Sequence, residues 1–161
     1  MNIDFIEAGP EIFDECAEVI RTAFITVADD FGLTKENAPT NPAFIETDAL
    51  FKMHEHKIDM FAAVENGAVI GFVAVEKAKE DTYYMEKLAV LPSFRHRGCG
   101  GAIMDFVFAF VKNDGGKKVS IGIINENTVL KNWYISYGFA ETETKVFSHL
   151  PFTVCLMEKY V

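Results

Sequence analysis

Leu88-Ala89-Val90-Leu91-Pro92-Ser93-Phe94-Arg95-His96-Arg97-Gly98-Cys99-Gly100-Gly101 links an apolar, β-rich run to a helix whose apolar residues nearly encircle it. Glycines let a backbone turn sharply and approach a ligand closely. At such a helix start the exposed N–H groups donate to phosphate oxygens, and the helix dipole adds attraction for an anion. Arg95 and Arg97 supply positive charge beside it. An ordinary tight turn is the plainer reading of the same glycines. Two nucleotide loops are excluded: a P-loop needs Lys-Ser or Lys-Thr after its last glycine, and the dinucleotide pattern needs glycine where Ile103 stands.

Working outward, Thr82 to Leu91 reads as the strand before this turn, and alternation places Tyr84, Glu86, Leu88 and Val90 on one face. The helix after it runs to about Asn113, is interrupted only by Asp105, and should be largely buried. Upstream, Met60 to Val64 and Ala68 to Val75 are apolar runs joined at Glu65-Asn66-Gly67, a strong hairpin signal. Ile3 to Ile6 reads as a strand, Glu11 to about Ala28 as a helix, Asp29 to Asn41 as a loop and Ala43 to Glu55 as a second helix. Downstream come a strand at Lys118 to Ile124, a helix at Thr128 to Tyr137 closed by Gly138, and strands near Ala140 to Phe147 and Phe152 to Lys159. This order predicts an α/β (α+β) fold, a mixed central sheet flanked by helices.

The 161 residues predict one domain, 1–161, with a core large enough to need neither disulfides nor a structural metal. No apolar run approaches a membrane span, and the acidic N-terminus is unlike a signal peptide, so the cytoplasm is the expected compartment. Cys16, Cys99 and Cys155 are an odd, widely spaced set, and His54 and His56 lie on different helix faces; no metal is expected. Residues 1–80 hold sixteen Asp/Glu against six Lys/Arg, net −10, whereas residues 81–161 are net +1, which together make the chain's −9. An acidic protein repels nucleic acid, while its acidic half could attract a cationic substrate or simply form a solvated surface.

Arg95-x-x-Gly98-x-Gly100, preceded by Leu88-Ala89-Val90-Leu91-Pro92, resembles the coenzyme A pyrophosphate loop of the GNAT superfamily of N-acetyltransferases. Asn127, followed by Trp133-Tyr134-Ile135-Ser136-Tyr137-Gly138-Phe139, resembles that family's second cofactor segment, and Cys155 to Lys159 its last strand. The resemblance implies about seven strands, with two central parallel strands splaying apart to admit the pantetheine arm of acetyl-CoA. Backbone groups of Leu88 and Val90 would pair with that arm as an added strand does. Those of Arg95, His96, Arg97, Gly98, Cys99, Gly100 and Gly101 would hold the pyrophosphate, with Asn127 nearby.

Acyl transfer to an amine needs an uncharged nucleophile and a proton for the departing thiolate. The resemblance makes Tyr134 the candidate proton donor, against a packing role, and Glu86 the candidate base, against an ion-paired or solvated carboxylate. Asn127 also suits a helix N-cap, and the two roles are compatible. Cys99 reads as a tolerated small residue rather than a nucleophile, since no spacing identifies an activating partner. The expected activity is direct acetyl transfer in a ternary complex to a primary amine of a small molecule or peptide, by a monomer or homodimer, with no nucleic acid or membrane partner. An acyl-CoA-binding sensor without turnover is the alternative. Phe24 to His56 and Phe147 to Phe152 should wall the acceptor pocket.

Overall fold

The computed structural model describes residues 2–161. Along them run β1 (Asp4–Glu7), α1 (Phe13–Asp30), α2 (Thr47–Glu55), β2 (Asp59–Glu65), β3 (Ala68–Lys77) and β4 (Thr82–Val90). Then follow α3 (Cys99–Asn113), β5 (Lys118–Ile124), α4 (Thr128–Ser136), β6 (Ala140–Val146) and β7 (Thr153–Tyr160). The strands form one sheet in the order β1-β2-β3-β4-β5-β7-β6, antiparallel throughout except for the parallel pair β4 and β5. Asn66 and Gly67 both take positive φ, 51° and 79°, the backbone twist that suits a two-residue hairpin between β2 and β3.

The helices cover opposite faces. Phe13, Ile20 and Leu50 of α1 and α2 pack on Met60, Phe72 and Ala74, while Ile103, Met104, Val107 and Val111 of α3 pack on Val73, Met85 and Val119. Because β3 is buried on both sides, it reads as a continuous apolar run rather than an alternating one. The apolar circumference of α3 has a similar cause. Phe106 stacks on Phe5 at 4.5 Å, and Phe110 meets Phe61 at 5.0 Å, so rings beyond the fully buried stripe cover neighbouring strands. The outermost strand, β6, is exposed along its length and protected from pairing by Glu141, Glu143 and Lys145.

One predicted element is corrected. Ala43 to Glu55 is not a single helix: a short 3-10 turn, Pro42–Phe44, is separated from α2 by extended Ile45 (ψ 138°). The Ile45 carbonyl leaves the helical ladder to accept from Arg21 Nη1 on α1 at 2.9 Å, a tertiary bond that outweighs local helical preference. Among the described residues no helix is long and apolar enough to cross a membrane.

Tyr83, buried under α3, donates its hydroxyl to the Asp114 carbonyl at 3.1 Å and to the Asp114 carboxylate. That carboxylate bond first, then burial, pushes the phenol up to about 12. Tyr83→Phe should therefore cost about 1.5 kcal/mol, read by urea unfolding as a lower midpoint at unchanged slope. The folded pKa lies above the unfolded one, so this difference should hold below pH about 10 and fade as pH rises through about 12. A constant difference across that window would show that the bond to Asp114 contributes nothing.

Candidate active site

β4 and β5 pair only at Thr82–Lys118, Tyr83–Val119 and Tyr84–Ser120, then part. A cavity of about 1190 Å³ opens where they diverge and passes through the sheet. Leu91 donates its N–H to Ile70 on β3 at 2.9 Å, so strand alternation turns the peptide groups of Val90, and of Leu88 before it, toward the space β5 has vacated. These are the edges an extended pantetheine chain would need.

A bulge decides which side chains meet there. Phe72 lies opposite Ala89 and Ala74 opposite Glu86, so Lys87 and Leu88 together face the single residue Val73; Lys87 takes φ 55°. Alternation is reset at that point. Glu86 therefore does not share a face with Leu88 and Val90, contrary to the period-two expectation. Tyr84 and Glu86 lie on the α1 face, Leu88 and Val90 on the α3 face, and all four border the cavity because it cuts across the sheet. The Glu86 carboxylate accepts from Lys87 Nζ at 3.1 Å, both side chains being about one-fifth exposed (22% and 20%).

Tyr134 stands on α4 with 6% of its surface exposed, edge-on to Trp133 at 5.1 Å and Phe139 at 5.4 Å. Its hydroxyl has no hydrogen-bond partner among the described residues, and Tyr134 borders the same cavity as Tyr84 and Glu86. Burial, then the proximity of Tyr84, holds its phenol above the ordinary tyrosine range. Tyr84 is raised too, by burial first and then by Glu86 and Glu76. Both rings are thus neutral proton carriers at neutral pH.

In the glycine loop, backbone geometry matches the anion-site expectation only in part. Ala102 donates to the Gly98 carbonyl at 3.0 Å, leaving the peptide groups of Gly100 and Gly101 in the first turn of α3, where helical carbonyls cannot reach. His96 (φ 60°) and Gly98 (φ 86°) both take the left-handed conformation that folds the loop back over the helix end. Arg95 departs from expectation. Its N–H bonds the Pro92 carbonyl at 3.2 Å, and its guanidinium reaches Thr26 Oγ1 at 3.1 Å and the Ala23 carbonyl at 2.7 Å. It fastens the loop to α1 instead of offering its charge to an anion. Arg97 lies over the Phe94 ring at 5.2 Å on the exposed side.

Cys99 turns its side chain into the core, where burial and then Glu65 raise its thiol, the reverse of what a nucleophile needs. Asn127 caps α4: its Oδ1 accepts from Leu130 N–H at 3.1 Å, and the residue also borders the cavity. Among the described residues no group of His, Cys, Asp and Glu is arranged to hold a metal.

Sequence reasoning missed the partners of Gly100 and Gly101. A Cβ on Gly100 would sit 3.0 Å from Trp133, and one on Gly101 would strike the Tyr137 hydroxyl, so these glycines also let α4 close against α3. Gly122 was legible as a glycine inside a strand; it leaves room at the parting beside the Tyr84 hydroxyl, 3.4 Å from where its Cβ would stand. Of the segments expected to wall an acceptor pocket, some side chains border this cavity and others do not. Phe24, Phe31, Phe147 and Phe152 border the cavity, whereas Phe51 packs edge-on against Phe13 at 4.9 Å, away from it.

Residues 24–139 match the model of the acetyltransferase (GNAT) family. The chain is 28% identical over 127 residues to aminoglycoside N(6')-acetyltransferase type 1 of Salmonella typhimurium, covering 72% of this chain and 86% of that protein. Its fold is similar to that of the PaiA N-acetyltransferase from Thermoplasma acidophilum in complex with coenzyme A (TM-score 0.82, 17% identity, 100% of both chains). It is also similar to the ribosomal-protein-S18-alanine N-acetyltransferase from Escherichia coli (TM-score 0.78, 13% identity, 99% and 94% covered).

Proposed function

The chain belongs to the acetyltransferase (GNAT) family and is an acetyl-CoA-dependent N-acetyltransferase; on that premise we propose how its residues divide the work. Residues 1–161 act as one catalytic domain that transfers acetyl directly, in a ternary complex, to a primary amine of a small molecule or peptide. The observation that carries this reading is the convergence of the parted β4 and β5, the start of α3 and the buried Tyr134 hydroxyl on one cavity. Backbone groups of Leu88 and Val90 align the pantetheine arm, while the peptides of His96 to Gly101 and the side chain of Asn127 take the phosphate end.

Bound acetyl-CoA supplies the activated acetyl thioester. Glu86, directly or through water, removes the proton from the entering ammonium so that the nitrogen lone pair can attack the thioester carbonyl. As the C–S bond breaks, the Tyr134 hydroxyl gives its proton to the departing sulfur. The nitrogen's remaining excess proton returns to solvent or the phenolate, and the amide is neutral.

A small amine as acceptor is supported by the aminoglycoside-acetylating relative, and the net negative charge of the N-terminal half attracts an ammonium-bearing molecule toward the protein at long range. The acidic surface also disfavours nucleic acid. We place the protein in the cytoplasm as monomer or homodimer, without a membrane partner. The direct test is release of coenzyme A thiol across polyamines, amino acids, aminoglycosides, arylamines and peptides. Thiol release with stoichiometric acetylated amine is expected for at least one class. Tight coenzyme A binding with no product from any amine would instead indicate a sensor.

A further inference from the structure

We propose that the acceptor is a monoamine with an aromatic or branched aliphatic body, a refinement that rests on the acetyltransferase reading above. Of the sixteen Asp and Glu in residues 1–80, only Asp30 borders the cavity, so the large negative charge of that half lies almost entirely away from it. The remaining carboxylates at the cavity are Glu86, already paired with Lys87, and Glu126, whose Oε1 accepts from Thr153 N–H at 3.4 Å. Lys145 on β6 and His149 on the segment before β7 add basic groups. The cavity as a whole is close to charge balance and holds no cluster of spare carboxylates for a polycation.

Aromatic rings stand among the walls that α1 and the segment before β7 contribute, beside Asp30, Thr40 and Asn41. Phe24 and Phe31, at the C-terminal end of α1, pack in one cluster with Ile124 at the end of β5 and Phe152 just before β7. All four border the cavity, as do Gly122, Leu156, Tyr84 and Glu86. A polyhydroxylated, multiply charged ligand pressed against such rings would leave donors and ammonium groups without partners, which is costly once water is excluded. An aryl or branched alkyl group gains from the same contact, and its single ammonium, at the opposite end, is accommodated by ring faces and by Glu86. The box thus orients the amine nitrogen toward the parted strands.

The test pairs binding with turnover. Protein saturated with coenzyme A, which forms a complex that cannot react, is titrated calorimetrically with 2-phenylethylamine, isoamylamine, spermidine and kanamycin; thiol release is measured for the same four with acetyl-CoA. The two apolar monoamines should bind, and their kcat/KM should exceed that of the polycations by about tenfold or more. Phe152→Ala should raise KM for 2-phenylethylamine about tenfold while leaving acetyl-CoA affinity unchanged. Should that variant not fold, Phe152→Leu, which keeps volume but loses the ring, should weaken 2-phenylethylamine more than isoamylamine. Preference for spermidine or kanamycin, or indifference of 2-phenylethylamine to both substitutions, overturns the proposal while leaving acetyl transfer intact. Binding of the apolar amines without thiol release from any amine would do the opposite, upholding the box and refuting transfer.

Discussion

Tyr134→Phe is expected to slow turnover by roughly 10²–10⁴-fold, the usual scale for a lost general acid, with acetyl-CoA affinity unchanged. The ring contacts with Trp133 and Phe139 survive the substitution, and among the described residues the hydroxyl has no partner that would be left unpaired. The loss should fall on kcat and kcat/KM together, because the proton is needed only as the thiolate departs. Burial holds the phenol above the ordinary tyrosine value of 10, so the parent enzyme should keep this proton as pH rises to that value. Glu86→Gln gives the contrast. A missing base hurts most where the amine is protonated, so its deficit should shrink as pH rises toward the amine's own pKa, whereas that of Tyr134→Phe should persist. Turnover within about threefold of the parent would remove Tyr134 from the acid role, far short of the expected scale. Tyr84, on the same cavity, would then be the next phenol to replace.

Gly100→Val should weaken acetyl-CoA binding by about 2 kcal/mol or more, roughly thirtyfold, through loss of charge-assisted bonds from the start of α3. Two causes are separable. A side chain here obstructs close approach of the pyrophosphate, and its Cβ also lies 3.0 Å from Trp133, so it could act by displacing α4. Combining Gly100→Val with Trp133→Leu distinguishes them by calorimetry. If the phosphate contact is the cause, the double variant stays weak; recovery of affinity would assign the effect to helix packing. Unchanged affinity in a folded Gly100→Val protein would move the phosphate site elsewhere.

The element order was legible because it depends on local chemistry. Asn66-Gly67 can adopt two consecutive positive φ values, Gly98 opens α3 in a left-handed turn, and apolar or β-rich runs between turn residues mark most strands; predicted ends differ by no more than two residues except at Ala43 to Glu55. That exception arose where a distant group, the Arg21 guanidinium, took a backbone carbonyl. The cofactor loop was legible as a pattern, yet Arg95 looked like an anion ligand because sequence carries no record of α1 standing beside it.

By itself, the sequence determined the strands and helices, the glycine turn at the head of α3 and the residue types for acyl transfer, since each depends on neighbours a few positions apart. Tertiary structure alone decided the facing of Glu86, the fastening of Arg95 to α1 and the near neutrality of the cavity. A one-residue bulge at Lys87 reverses every side chain beyond it, and whether a carboxylate lines a pocket or faces water depends on packing between elements far apart in the chain.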